Sequence, residues 1–240
     1  MRTIVSVTSY SRRLNTLLPE AVKSVLNQTT KPDLVMVYVS ERDYGNIAID
    51  KFKSHIVKFK TVPDYMSYKK YVALTDREFD NDVVWIIDDD LHYGSDNLAL
   101  FNQTYNDGSL IYAFGVQHLV RSPFFNNPFE RNGGIVERDF LAYSGCGVFF
   151  PPQVMRFDRN LLETGFRVSP TNDDAFISAY AVSRNISIKN IKTSRRNFSQ
   201  IPELFTGKTL IDTNIFSFDT QVKKCYDFFG VRLKSESPDI

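Results

Sequence analysis

The chain has 240 residues, 42% of them hydrophobic, with 29 Lys plus Arg against 28 Asp plus Glu. That length and apolar content support one large α/β domain with a sizeable core and exclude global disorder. The near-neutral balance excludes an electrostatic footprint for nucleic acid over the whole chain.

The first predicted strand is Ile4–Thr8, of buried type, followed by a polar loop from Ser9 to Arg13. Apolar residues at Leu14, Leu17, Leu18, Ala21, Val22, Val25 and Leu26 have helix spacing, and Pro32 stops that helix. Leu34–Val39 reads as a second strand, Ile56–Phe59 as a third, Tyr68–Leu74 as a helix and Val83–Ile87 as a fourth strand. This alternation predicts a Rossmann-like domain with a mostly parallel central sheet flanked by helices. In such sheets ligands sit at the carboxyl ends of the strands. The loops Thr8–Arg13, Ser40–Asp43, Pro63–Lys70 and Asp88–His92 each follow a strand and are expected along one edge.

The second half is less regular. Leu110–Val120 reads as a strand, 124–138 as a loop with Pro128, Gly133 and Gly134, and Phe140–Phe150 as strand-like around Gly145-Cys146-Gly147. Asn172–Val182 reads as a helix and Ile186–Ile188 as a further strand, while little is legible beyond Ser194. The loop 124–138, rich in Phe124, Phe125 and Phe129, reads either as a mobile lid or as an ordinary packed loop. Cys146 and Cys225 have no metal-type spacing and are too few for a disulfide framework, so a reducing, cytoplasmic setting is expected. Met1–Leu14 does not read as a signal peptide, and no stretch approaches 18 apolar residues. A basic stretch holds Arg184, Lys189, Lys192, Arg195 and Arg196; it reads as a solvated face or as a contact for an anionic substrate or a membrane surface.

The run Asp88-Asp89-Asp90 follows the apolar strand Val83–Ile87 without a break. On an extended chain Asp88 and Asp90 share a side. Two carboxylates held that close repel unless a proton or a cation intervenes. A hard divalent ion, Mg²⁺ or Mn²⁺, resolves the conflict and can bridge the phosphates of a nucleotide diphosphate. His92, two residues on, is a further candidate ligand. The bland reading is a polar turn opening the next helix, with Ser95 or Asp96 as its cap.

With these residues in place, the chain resembles a GT-A-fold glycosyltransferase of the family-2 type over about Ile4 to Val182. Val5-Ser6-Val7-Thr8-Ser9-Tyr10-Ser11-Arg12-Arg13 is similar to that family's first strand and base-binding loop. Asp88-Asp89-Asp90 matches its DxD motif in position and context. Tyr143-Ser144-Gly145-Cys146-Gly147-Val148 resembles the glycine-rich segment lining the sugar pocket, and Thr171-Asn172-Asp173-Asp174 the acidic pair opening the acceptor-side helix. The resemblance implies a nucleotide-binding half over residues 1–95, an acceptor-binding half over 96–200 and an extension over 201–240 of unassigned role. It implies that Thr8, Tyr10 and Arg12 line the nucleobase and ribose site, joined by Ser40 or Glu41, and that Asp64 approaches the base. Lys70 or Lys69 would face the diphosphate. Asp88 would bind ribose or metal, Asp89 belongs to the donor site, and Asp90 binds metal. Gly145, Cys146 and Gly147 would line the sugar. Asp174 or Asp173 would be the general base.

The implied activity is metal-dependent, inverting transfer from a nucleotide-diphosphate sugar, UDP-linked first, to a hydroxyl of a glycan or lipid-linked glycan. The protein would be cytoplasmic, with peripheral contact at the inner membrane face through the basic stretch. Two rivals stand beside it. A sugar nucleotidyltransferase also sets aspartates beside a nucleotide, but usually carries a glycine-rich loop after its first strand, and Ser9–Arg13 has no glycine. A catalytically inactive carbohydrate-binding domain of the same fold is the other. For each of Arg12, Arg13, Lys69 and Lys70, a solvated surface position is the simple alternative.

Overall fold

The computed structural model describes residues 1–130, 132–155, 157–192, 197–202 and 217–233. Its centre is an eight-stranded sheet in the order β3-β2-β1-β4-β10-β6-β11-β8. The strands are β1 (Thr3–Thr8), β2 (Leu34–Val39), β3 (Val57–Thr61), β4 (Val83–Ile86), β6 (Ile111–Ala113), β8 (Ile135–Val136), β10 (Val148–Phe150) and β11 (Ile188–Asn190). The β3-β2-β1-β4 block is parallel throughout, and β11 runs parallel to β6. β10 runs antiparallel to both β4 and β6, and β8 antiparallel to β11. The expected α/β domain with a mostly parallel sheet is therefore present.

Small two-stranded sheets pair β5 (Leu91–Tyr93) with β12 (Phe198–Gln200), and β7 (Val116–His118) with β9 (Phe140–Ala142). Helices cover both faces. On one side α1 (Leu17–Leu26) and α3 (Asn97–Thr104) bury Leu18, Val22, Val25, Leu98 and Phe101 against Val5, Val7, Val37 and Trp85. Phe101 stacks on Phe149 at 4.2 Å, and Phe149 on Trp85 at 4.9 Å, which ties that helix layer to the sheet centre. On the other side lie α4 (Arg159–Val168), α5 (Asp173–Ser183), α6 (Phe218–Phe228) and a 3₁₀ segment, Met66–Thr75.

β1, β2 and β4 match expectation because their apolar runs are buried on both faces, as a sheet covered by helices requires. Leu110–Val120 is not one strand but β6 and β7, bent apart at Gly115. A Cβ there would lie 2.7 Å from Cys146 Sγ, so the backbone turns under the Ser144–Cys146 turn. Phe140–Phe150 likewise divides into β9 and β10 about that turn. The predicted helix at Tyr68–Leu74 is instead 3₁₀, with neighbouring residues turned about 120° apart. The loop 124–138 is a packed one. The His118 and Glu130 backbone N–H groups donate to Pro128 and Val116 at 3.0 and 2.7 Å, and Asp219 accepts from the Phe124 N–H at 2.8 Å. Among the described residues no helix is long and apolar enough to cross a membrane. Arg195, Arg196 and most of 201–240 lie outside the described residues.

Candidate active site

The parallel block delivers the ends of β1, β2, β3 and β4 to one edge. β10 runs the other way with Val148 opposite Ile86, so its preceding turn, Ser144–Gly147, meets that edge too. Asn172 caps α5 by accepting from the Ala175 N–H at 3.1 Å, which holds Asp173 and Asp174 at the helix start beside the same edge.

β4 ends at Ile86, so strict alternation does not carry through the acidic run. Asp88 Oδ1 sits 2.5 Å from Lys70 Nζ. Asp89 and Asp90 both face Arg13, whose guanidinium lies 2.9 Å from Asp89 Oδ1 and 2.9 Å from Asp90 Oδ2. Asp89 is buried and also accepts from the Ser9 hydroxyl. Lys70 reaches a second acid, with Asp173 Oδ2 at 2.9 Å, while Asp173 Oδ1 accepts from Ser67 at 2.7 Å. Lys70 thus bridges the acidic run after β4 and the acidic pair of α5. Its neighbour Lys69, turned away by the 3₁₀ pitch, pairs instead with Asp64 at 2.6 Å. Both lysines are buried, which overturns a solvated reading.

Asp174 differs from every other acid here. Its Oδ1 accepts from the Ser144 N–H at 3.1 Å, the Ser144 hydroxyl at 2.5 Å and the Tyr71 hydroxyl at 3.3 Å. No cation contacts it among the described residues. Burial, then the charges of Asp173 and Asp88, push its carboxyl up to about 7 against the opposing pull of Lys70. Burial raises Asp88 as well, with Asp90 and Asp173 adding to it and Lys70 opposing. Burial lifts Asp89 to about 6 despite Arg13. Burial alone would lower Lys70, but Asp173 and Asp88 hold it well above an ordinary lysine.

The glycines fit tight positions. A Cβ on Gly145 would meet Asp88 Oδ2 at 2.9 Å, and Gly147 has φ +100 with Trp85 Nε1 at 2.8 Å from a Cβ. The Asp88 N–H donates to the Tyr93 hydroxyl at 2.9 Å, which in turn donates to the Gly145 carbonyl at 2.9 Å, so Tyr93 couples run and turn. Cys146 lies in that turn, and burial followed by the Asp174 and Asp88 charges pushes its thiol up to about 12, the state of a packed thiol and not a nucleophile.

An open cleft of about 520 Å³ lies at the ends of β2 and β3, lined by Ser40, Glu41, Arg42, Thr61, Val62, Pro63 and Asp64. Ser40 and Asp64 therefore share one wall system, as expected of loops after β2 and β3. Thr8 donates to the Tyr38 carbonyl at 2.7 Å, Tyr10 is exposed over the Arg13 guanidinium at 5.4 Å, and Arg12 points to solvent. Of the adjacent arginines it is Arg13 that joins the acids, a choice sequence spacing could not make. His92 lies on β5 between Leu91 and Tyr93. Those two neighbours face Gly145 and Asp88, so alternation sends His92 to the other face. Among the described residues no three His, Cys, Asp or Glu side chains converge as an ion-binding group. Ser67, Tyr71, Tyr93 and Ser144, all contacting the acids, were not singled out from sequence. Ser144 lay inside the quoted glycine-rich segment, whereas nothing local marks the others.

No family model matches the chain, and no curated protein matches it by sequence. Solved structures do match its fold. S. aureus TarS 1-349 is similar over 98% of this chain and 67% of its own, at 11% identity and a TM-score of 0.50. The same protein in complex with UDP-GlcNAc gives 98%, 68%, 12% and 0.52. The 4-diphosphocytidyl-2C-methyl-D-erythritol synthase from Anaerococcus prevotii is similar over 92% of this chain and 96% of its own, at 9% identity and 0.51. The chain has a GT-A-type fold.

Proposed function

We propose that this GT-A-type chain is a glycosyltransferase that takes a sugar from a nucleotide-diphosphate sugar, UDP-linked first, and passes it to a hydroxyl of a glycan or lipid-linked glycan in the cytoplasm or at the inner membrane face. The observation that carries this reading is Asp174. It is a carboxyl poised near 7, held only by neutral donors through Oδ1, with Oδ2 free of any described hydrogen bond. A base for a sugar hydroxyl needs an open oxygen and a pKa near the working pH. Asp173 lies against a cation instead, its Oδ1 accepting from Ser67 and its Oδ2 2.9 Å from Lys70 Nζ, so it is assigned the positioning of Lys70.

The excess of acid at the edge supports a divalent cation, through which a diphosphate would be held. Asp88, Asp89, Asp90, Asp173 and Asp174 face only Lys70 and Arg13 in the described contacts. Asp88 Oδ2 and Asp90 Oδ1 remain without a described partner, on side chains 36% and 29% exposed. These oxygens fit the Mg²⁺ or Mn²⁺ pattern of one or two carboxylates completed by substrate phosphates and water. When bound, such an ion supplies charge neutralisation at the leaving diphosphate. Lys70 adds a fixed positive charge beside it, the Ser40–Asp64 cleft orients the base, and Asp174 accepts the proton as the acceptor oxygen bonds to the anomeric carbon and the bond to phosphate breaks. Attack opposite the leaving group inverts that carbon.

A sugar nucleotidyltransferase is the second reading, favoured by the near-complete span of the A. prevotii synthase. The loop after β1 speaks against it, since its Arg13 is turned onto Asp89 and Asp90. One assay separates them. Nucleotide sugars are screened by thermal shift with and without Mn²⁺, since a ligand selective for the folded state raises apparent stability. The best donor is then followed for release of nucleoside diphosphate. Pyrophosphate release from a nucleoside triphosphate and a sugar 1-phosphate would overturn the transferase reading. Sugar binding unaffected by Asp174→Asn and Asp90→Ala, with no turnover, would point to the inactive carbohydrate-binding domain.

A further inference from the structure

Among the described residues three phenylalanines are exposed, and their surroundings differ. Phe125 lies against Phe218 at the start of α6, and Phe228 at its end lies against Phe176 and Phe229. Phe129, 43% exposed, lies instead against Tyr143, with ring centroids 5.3 Å apart and planes at 32°. Tyr143 immediately precedes Ser144, whose N–H and hydroxyl both donate to Asp174. Burial first, and then the charge of Asp174, raise the Tyr143 hydroxyl above an ordinary tyrosine, so ring and carboxyl share one neighbourhood. Both rings are tied to one fully buried side chain. Gln117 accepts from the Tyr143 hydroxyl at 2.7 Å and donates to the Asn127 and Phe125 carbonyls at 2.8 and 3.2 Å, while its backbone bridges Phe129. Phe129 thus forgoes part of the burial that would stabilise it, yet a satisfied polar network fixes the backbone that carries it. Its chain neighbour Glu130 pairs with His118 at 3.2 Å, so polar groups border the ring.

Resting on the assignment of Asp174 as the base, we propose that Phe129 and Tyr143 form an aromatic platform that binds a pyranose ring of the acceptor, with Gln117 fixing that platform relative to Asp174. A pyranose has a face made of C–H bonds and a rim of hydroxyls. The C–H face packs on the electron-rich face of an aromatic ring, and the rim hydrogen-bonds to polar groups. An exposed ring bordered by Glu130 and His118, beside the turn that holds the base, offers both. A lipid tail or an apolar protein segment would want a wider apolar patch without bordering polar groups. Holding the sugar ring there orients its hydroxyl before reaction, and fixed geometry of that kind lowers the barrier. The segment carrying Phe129 is then a wall of the acceptor site and not a closing lid.

The test is binding of the methyl α- and β-pyranosides of glucose, galactose, mannose and N-acetylglucosamine to the whole chain, read by ligand-observed NMR and independent of turnover. UDP binding is followed in parallel by thermal shift. Phe129→Ala is expected to weaken the best-bound pyranoside about tenfold. Phe129→Leu retains apolar bulk without an aromatic face and should weaken it by a similar factor; it carries the expectation alone if the Ala variant proves unfolded. Phe129→Tyr and Phe129→Trp keep the face and should bind as the unaltered protein does. UDP should raise the melting temperature of every variant equally, which also shows that each is folded. Equal pyranoside affinity with and without the aromatic ring, or no binding of any pyranoside, overturns the platform, and the donor reading stands in either case if UDP binds. Pyranoside affinity that falls in Phe129→Ala and Phe129→Leu, with no UDP binding to any of the proteins, overturns the donor reading and the acceptor role with it.

Discussion

Two acidic groups meet at the same edge of the sheet, and they are balanced in opposite ways. The run after β4 is matched by cations, with Asp88 facing Lys70 and Asp89 and Asp90 facing Arg13. Asp174, at the start of α5, is matched only by hydroxyls and one N–H. The first arrangement sets each of these carboxylates against a positive charge. The second leaves a carboxyl that takes and releases a proton near neutrality. The lesson is that neighbours, and not residue type or spacing, divide the labour among five aspartates.

The largest expected effect tests the neutral side. Asp174→Asn preserves the Ser144 contacts but cannot accept a proton, so sugar transfer should fall by roughly 10²–10⁴-fold with donor binding retained, measured as turnover against donor affinity. Next is the cation side. Lys70→Met strands Asp88 and Asp173 together, and chemical denaturation should register a loss of about 3–5 kcal/mol, the range for breaking a buried pair by removing one partner.

A pH series sharpens the contrast. Asp174 is raised in the folded state, from 3.8 to about 7, so its contribution favours folding most at low pH and declines as pH rises through that window. Above neutrality Asp174→Asn should be the more stable protein by on the order of 2 kcal/mol, and the difference should vanish near pH 4. Lys70 has the same sign in a different range: its raised pKa contributes stability that is full below the ordinary lysine pKa and fades only in strong alkali. Melting temperatures at pH 4, 6 and 8 for the unaltered protein and Asp174→Asn isolate the Asp174 contribution, because that of Lys70 is constant over this range. The smallest effect is at Gly145→Ala. The added Cβ presses on Asp88 Oδ2, and about 1–3 kcal/mol of stability should be lost, with weaker donor affinity.

Much of the first half was legible because its strands are continuous apolar runs followed at once by polar loops, as at Leu34–Val39 and Val83–Ile86. Parallel order then brought Ser40, Asp64 and the acidic run to one edge. What spacing could not choose was between adjacent equals. Arg12 or Arg13, Lys69 or Lys70, and Asp173 or Asp174 were each separated by backbone pitch, which turns one to solvent or a side partner and its neighbour into the cluster. The second half was harder because its strands are three residues or fewer, and a short apolar segment such as Phe140–Ala142 carries no period of its own. Two helices went unread although their signals exist. Asp158 caps α4 through the Leu161 N–H, and Phe218, Val222, Cys225 and Tyr226 mark the buried stripe of α6.

The reversed strand β10 has a consequence for how such a molecule can diversify. Four strands hand their endings to the edge, but β10 hands over its beginning, on a turn whose contacts run to Asp174 through Ser144 and to Asp88 through Tyr93 and Gly145. Rewriting the stretch between β6 and β10 can therefore alter this turn without shifting the register of β1 to β4. A single inverted ribbon makes that side of the site a separately adjustable module.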